Sequence, residues 1–354
     1  MKSNEDNPET KTSIYEVFKI PLIISLIIYL FVAKKFNQPI DTNVIRSNFT
    51  EIIKTFSLDP CCGQMGNQLF RIMAGYGIWR SINRVHVIRV TKCRGPGDNI
   101  SQFRKIISIF PKMEKIIITN NDVPIPPMNE SEVYFAFYKG RKSCCTYEDP
   151  RKRLLSRKEA HLSLRQTFML HTRYFEEYIE ELIPYFEFSR NTTEKGQLAI
   201  KNMKLNTSAD HLCVHTRRTD HPYPSELDFT IPAIDFLIKK LNVANVLIFG
   251  DDHLFMKNVS DIVNENHKNV TAVVSTNKDF GADFYISSKI CTSFLMTVPE
   301  SSSGWMLSFM SRNQSQVFYD EDIWDIFLVE DKGYHRYMWH PLKIFPNKTG
   351  VIMS

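Results

Sequence analysis

Two adjacent arginines, Arg217 and Arg218, stand in the stretch His215-Thr216-Arg217-Arg218-Thr219-Asp220, directly after a short apolar run. A guanidinium presents paired N–H groups in one plane that match two phosphate oxygens, and a neighbouring acid fixes its orientation. With Asp220 in that supporting role the stretch reads as a clamp for a diphosphate; a surface salt-bridge cluster, worth little, is the alternative. Three other stretches carry suitable residue types. Gly63-Gln64-Met65-Gly66-Asn67-Gln68 precedes an apolar helical pattern, so its backbone could approach an anion or simply cap the helix. Asp251 and Asp252 after Phe249-Gly250 invite a metal but lack a third ligand nearby in sequence, and helix capping explains them equally. Glu300-Ser301-Ser302-Ser303-Gly304-Trp305 offers hydroxyls and N–H groups at another helix start, where capping is again the simpler account.

Other chemistries drop out. No Lys-Ser/Thr follows the Gly63 stretch, which excludes a P-loop, and no G-x-S-x-G elbow supplies a serine nucleophile. His86, His161 and His171 have no evident partners and read as surface or satisfied core residues.

The elements that must hold these groups alternate. Runs 211–215, 245–250, 271–275, 293–297 and 316–320 read as short strands, separated by helical stretches 231–240, 253–264, 280–291 and 303–312. That βαβα succession predicts a doubly wound parallel sheet, with ligands outside the carboxyl ends of its strands. The first half follows a rougher version: a helix from Gly63, strands at 85–90, 115–119 and 132–138, and a helical zone over 157–188.

The remaining sequence addresses compartment and bulk. Ile20 to Ala33 is uncharged, flanked by Lys19 and Lys34-Lys35, and is followed by no small-residue cleavage site. It reads as a membrane anchor spanning about 21 Å, with a cleaved signal or a core helix as alternatives. Nine sequons follow it, at Asn48, Asn99, Asn129, Asn191, Asn206, Asn258, Asn269, Asn313 and Asn347. Composition alone would give about three, so the body is expected to be lumenal or extracellular. Seven cysteines allow up to three bridges with one thiol left; Cys213 and Cys291, in apolar surroundings, read equally as buried thiols. At 354 residues and 43% hydrophobic the chain suits two domains, while a net charge of +5 is too weak for a nucleic-acid partner.

Together, GQMGNQLFR before a helix, HTRRTD and FGDDHLFMKN after strands, and DFYISSKIC with SSSGW beyond them resemble the α-1,2-fucosyltransferases of glycosyltransferase family 11. The match runs from about Asp59 to Tyr319, and HxRRxD is shared with α-1,6- and protein O-fucosyltransferases. The resemblance implies an α/β, GT-B-like fold, two Rossmann-type domains facing a cleft, behind one N-terminal transmembrane helix. The implied divisions are a tail to 19, an anchor over 20–34, a stem over 35–57, an acceptor-side domain over 58–200, a donor domain over 201–345 and a tail over 346–354.

By the same resemblance GDP-fucose is the co-substrate, with no cofactor and no metal, and a galactose-containing glycan accepts fucose with inversion. Arg218 would hold the diphosphate, supported by His215, Arg217 and Asp220; Gly66, Asn67 and Gln68 would close from the other domain; Asp283, Ser301 and Ser302 would bind the nucleotide. Glu226 is the nearest carboxylate to serve as base. The family has an aromatic where Ser303 stands, a second tryptophan at Met306 and a glycine at Thr219. The implied setting is a single-pass type II protein of the Golgi membrane. Alternatives are a transferase acting on protein hydroxyls, and a non-catalytic glycan binder with the same fold.

Overall fold

The computed structural model describes residues 54–353 apart from 93–98, 124, 126–130, 139–140, 143–144, 167–168, 278, 322–334 and 346–349. The expected anchor, most of the stem and the sequons at Asn48, Asn129 and Asn347 lie outside the described residues. Among the described residues no helix is long and apolar enough to cross a membrane.

A first, wholly parallel sheet has the order β2 (Val85–His86), β1 (Thr55–Leu58), β6 (His161–Leu164), β3 (Glu132–Val133). Helix α1 (Met65–Ile82) carries the chain from β1 to β2 and is buried on almost every face. A two-stranded antiparallel pair, β4 (Phe137–Tyr138) and β5 (Arg141–Lys142), stands apart, and α2 (Asn99–Ile109) covers α1. The expected strand at 115–119 is instead a 3₁₀ turn over Pro111–Lys115 and a single parallel bridge from Thr119 to Ile88.

The helical zone expected over 157–188 is also wrong. Its first part is β6, and Ile179–Leu182 is the only α-helical piece among its described residues, set among 3₁₀ turns. Alternation in β6 is disguised because both faces are buried, Leu162 and Leu164 on one, His161 and Ser163 on the other. His161 is tolerated inside because Nδ1 lies 2.8 Å from Thr55 Oγ1 and Nε2 lies 3.1 Å from Ser57 Oγ.

The second sheet follows the expected plan. Its order is β13 (Val351–Met353), β12 (His340–Ile344), β11 (Val317–Asp320), β10 (Ser293–Met296), β7 (His211–His215), β8 (Asn245–Phe249), β9 (Thr271–Val274), parallel except for β13. Strand order reverses between β7 and β10, the switch point where a doubly wound sheet opens a crevice. The expected tail at 346–354 thus supplies a strand. The division expected at residue 200 falls within α3 (Arg190–Asn202), which packs on the second half.

Crossover helices lie on both faces. On one, α4 (Leu227–Leu241) and α5 (His253–Asn266) bury Ala233, Ile234, Leu237, Ile238, Val259 and Val263 against the strands. Each large aliphatic so buried contributes about 2 kcal/mol, and α4 stops where Asn242 turns to φ 52°. On the other face lie α6 (Phe280–Ile290) and α7 (Ser302–Met310), with α1 and α3 packed over them. Cys213 of β7 and Cys291, just past α6, form a disulfide rather than two buried thiols. Cys62 and Cys145 are also disulfide-bonded, and Cys61 is the free, buried thiol among the described residues.

Candidate active site at the carboxyl ends of the strands

The chain leaving β7 is shaped by one carboxylate. Asp251, after β8, accepts from the Arg218 N–H at 2.8 Å, the Thr219 N–H at 3.1 Å and the Thr219 hydroxyl at 2.6 Å. Its other contact is Arg217 Nε at 3.3 Å. Burial would raise the carboxyl's pKa, but the Thr219 hydroxyl, the two backbone donors and Arg217 together hold it below the usual range. From the opposite side Ser225 Oγ accepts the Arg217 N–H at 2.9 Å and lies 2.6 Å from Thr297 Oγ1, which donates to the His215 carbonyl at 3.0 Å. The loop is therefore bolted to β8 and to the end of β10.

Within it the two arginines differ. Arg217, with a side chain 14% exposed, pairs through Nη2 with Asp220 and shares the wall of a cavity of about 200 Å³. Arg218 points elsewhere: Nη1 bonds the Ser225 carbonyl, Nε lies 3.3 Å from Asp252, and Cζ sits 4.4 Å over the Phe255 ring. Arg217 is thus the arginine that faces the cavity, whereas the family resemblance assigns the diphosphate to Arg218.

That cavity is also lined by His215, Asp251, Asn277, Phe280 and Asp283. Burial, with Arg217 second, lowers the His215 pKa to about 3, so the ring is neutral, and its Nδ1 has no hydrogen-bond partner. It lies against the start of α7, where a Cβ on Gly304 would stand 2.5 Å from Nδ1. Asp283, on α6, accepts from Ser275 Oγ at 2.9 Å; burial nonetheless pushes its carboxyl up to about 7. A larger cavity of about 470 Å³ lies at the amino end of the same sheet, lined by Asp210, Thr292 and Arg312, away from the switch point.

The first half closes on this site through the turn before α1. Gln64 Nε2 donates to Asp220 at 3.3 Å, and the Gly66 backbone lies against Ser302 and Ser303 at the start of α7. Two helix amino ends, with their unpaired N–H groups and positive dipole ends, therefore converge. Ser301 caps α7 through Gly304 N–H at 3.3 Å. Gln68 turns inward: it is fully buried and donates to the carbonyls of Cys61 and Gly63, both at 3.0 Å. Asn67 packs under Gly63. Behind the contact Phe70 meets Trp305 at 4.6 Å, and Trp305 stacks on Phe309. Ser303 and Met306 are buried in this layer.

His215, Arg217, Asp283 and, through the Gly66–Ser302 contact, Gly66 and Ser302 are thus brought together. Glu226 is not on the cavity wall; it occupies the N-cap of α4, exposed and making no side-chain cap. Asn277, Ser225 and Thr297 escape sequence reasoning; Asp251, expected as a metal ligand or helix cap, instead braces the arginine loop. Asp252 caps α5 through Phe255 N–H at 3.1 Å, as the simpler account held. Among the sequons, Asn191, Asn206, Asn258 and Asn269 are exposed and Asn313 is partly so, but Asn99 is fully buried.

No family model matches the chain. Its curated relatives include a Caenorhabditis elegans galactoside 2-alpha-L-fucosyltransferase, 25% identical over 80% of this chain and 73% of that one. A second of the same name and organism is 26% identical over 72% and 69%. The provisionally named svh-11 of C. elegans is 27% identical over 79% and 76%. Among solved structures, NodZ α-1,6-fucosyltransferase co-crystallised with GDP is 14% identical, with a TM-score of 0.49 over 85% of this chain and 98% of that one.

Proposed function

We propose that this chain, a relative of galactoside 2-α-L-fucosyltransferases, moves L-fucose from GDP-fucose to a galactoside hydroxyl in α-1,2 linkage, with inversion and without a metal ion. In this reading the two sheets are the cores of two GT-B-like, Rossmann-type lobes, and the cavity beside Arg217 takes the donor. The protein would be anchored by residues 20–34 as a single-pass type II protein of the Golgi membrane.

The carrying observation is Arg217 on the cavity wall at the β7/β10 switch point, with Gln64 at the amino end of α1 bonded to its partner Asp220 and the start of α7 against His215. In-line displacement of a diphosphate builds negative charge on the departing oxygens, and a positioned guanidinium with helix N–H groups stabilises it as it grows. Asp251, only 18% exposed, holds the Nε edge of Arg217, while Asp220, 49% exposed, holds the Nη edge. A pair so open to solvent is weak. Diphosphate can therefore displace Asp220 without releasing the arginine. Metal independence is supported by the employment of both candidate acids, Asp251 by the loop and Asp252 by Phe255 and Arg218.

The test is incubation of the protein with GDP-fucose and either a galactoside or a hydroxyl-bearing peptide, following GDP release and the linkage of any product by NMR. Release with the galactoside and a 2-linked product is expected. Release with peptide alone would reassign the acceptor, and none with either would leave a glycan-binding protein.

A further inference from the structure

The carboxyl end of the first sheet carries a charged cluster that the donor site does not use. Arg165, directly after β6, pairs through Nη1 with Asp59 Oδ1 at 3.0 Å and Glu132 Oε1 at 3.7 Å. Asp59 follows β1, and Glu132 lies in β3 opposite Ser163. Arg89 crosses the same two central strands, donating from Nε to Ser57 Oγ and from Nη2 to Ser163 Oγ, both at 2.9 Å.

Three features make this more than a structural ion pair. The Nε of Arg165 is buried with no hydrogen-bond partner, yet 28% of the side chain is exposed, as is 30% of Glu132. A guanidinium with one donor unpaired is under-satisfied, and the edge it exposes to solvent can take a ligand oxygen. The cluster is also fixed in place: buried Arg71 donates from Nη2 to the Leu58 carbonyl at 3.2 Å and the Asp59 carbonyl at 2.6 Å. Finally, the turn that leaves Asp59 reaches Gln64, which bonds Asp220 of the donor-side loop. The carboxyl ends of the two sheets are therefore joined through this turn.

We infer that Arg165, with Asp59 and Glu132, positions the acceptor by binding a vicinal diol of a neutral sugar. Each sugar hydroxyl both donates and accepts, so a carboxylate beside a guanidinium matches two adjacent hydroxyls. At the exposed edge Asp59 and Glu132 face Arg165, while Arg71 and Arg89 are turned to backbone carbonyls and serine hydroxyls, so none of these three guanidiniums is left over for a carboxylated or sulfated sugar. The inference rests on the transferase reading for the identity of the reaction, but the sugar site can be tested without it.

The experiment uses the full chain in detergent, with lactose binding followed by saturation-transfer NMR in the absence of donor and GDP binding followed by calorimetry. Arg165→Ala is expected to weaken lactose binding, and to raise the acceptor KM, at least tenfold. It should leave kcat within about threefold and the GDP affinity within twofold, with Arg165→Lys recovering part of the loss. Glu132→Gln should act in the same direction. Unchanged lactose binding by Arg165→Ala, no galactoside binding by the wild type, or an equal loss of GDP affinity would each overturn the assignment. Preference for a sialylated or sulfated galactoside over lactose would overturn the neutral diol. Arg165-dependent lactose binding without any GDP binding would sustain the sugar site while sinking the transferase reading.

Discussion

Gly66 of α1 lies so close to Ser302 of α7 that a Cβ on the glycine would stand 2.7 Å from Ser302 Oγ and 2.8 Å from the Ser302 carbonyl carbon. The near atoms include backbone, which cannot swing aside as a side-chain tip would. Gly66→Ala must therefore part the two helix ends, at a cost of about 1–3 kcal/mol. Thermal unfolding should show a lower Tm, and calorimetry roughly tenfold weaker GDP binding. Unchanged values for both would mean that the contact is slack and sets nothing at the site.

The two arginines should separate kinetically. Arg217→Ala removes the guanidinium on the cavity wall and should lower kcat/KM by about 10²–10³-fold, the usual loss when a positioned donor to developing charge is deleted. Arg217→Lys keeps the charge without the fork and should fall between. Arg218→Ala leaves the wall intact and acts by loosening Ser225 and Asp252, so a smaller loss is expected. Steady-state GDP release measures all three; a larger loss at Arg218 would return the clamp to that residue.

Asp283 gives the ligand-free protein a pH signature. Its folded pKa, raised by burial to about 7, exceeds the unfolded value near 4. The folded state thus holds the proton more tightly, and the associated stability is fully present below about pH 4 and lost as pH rises through about 7. Asp283→Asn keeps an acceptor for Ser275 and cannot ionise. Relative to wild type its Tm should rise between pH 5 and pH 8, by an amount corresponding to at most a few kcal/mol. A difference in Tm that stays flat across that range would contradict a carboxyl titrating there.

Asn99 illustrates what burial does to a motif. Its Oδ1 accepts the Thr91 N–H at 3.0 Å and its Nδ2 donates to the Arg89 carbonyl at 2.8 Å. A glycan added during synthesis would have to be forced into a fully buried site, so the folded protein should carry none there. Peptide mapping after enzymatic deglycosylation is expected to mark exposed sequons such as Asn206 and Asn269 and to leave Asn99 unmarked. Occupied Asn99 would require its bonds to Thr91 and Arg89 to open.

The second half was legible because its strands are short apolar runs flanked by turn residues, and its helices have a single buried stripe, as Ala233, Ile234, Leu237 and Ile238 show. In the first half the signal fails where polar residues are buried. His161 and Ser163 look like a solvated face but are held by Thr55, Ser57 and Arg89, so the alternation of β6 does not show in the sequence. The site divides similarly. Strand-end position exposed Arg217 and Arg218 in the sequence, but which of them faces the cavity depends on Asp251, Asp252 and Phe255, set by the following β–α turn. The resemblance assigns Gln68 to the donor, yet nothing local in the sequence reveals that the carbonyls of Cys61 and Gly63 claim its amide.

The acceptor hydroxyl's base is the remaining question, and two glutamates compete. Glu226 is exposed at the N-cap of α4, away from the cavity wall. Glu300 is not on the cavity wall either, but it stands directly before Ser301, beside the Gly66–Ser302 contact, and burial pushes its carboxyl up to about 7. A base with that pKa is deprotonated in the working pH range yet basic enough to take a hydroxyl proton, the compromise that general-base catalysis favours. For such a base kcat/KM should fall tenfold per pH unit below about 7. Glu300→Gln should lower the plateau and flatten that limb, whereas Glu226→Gln should keep both. Should the acidic limb survive in Glu300→Gln, the proton is taken by another group, and the raised pKa of Glu300 is a consequence of burial alone.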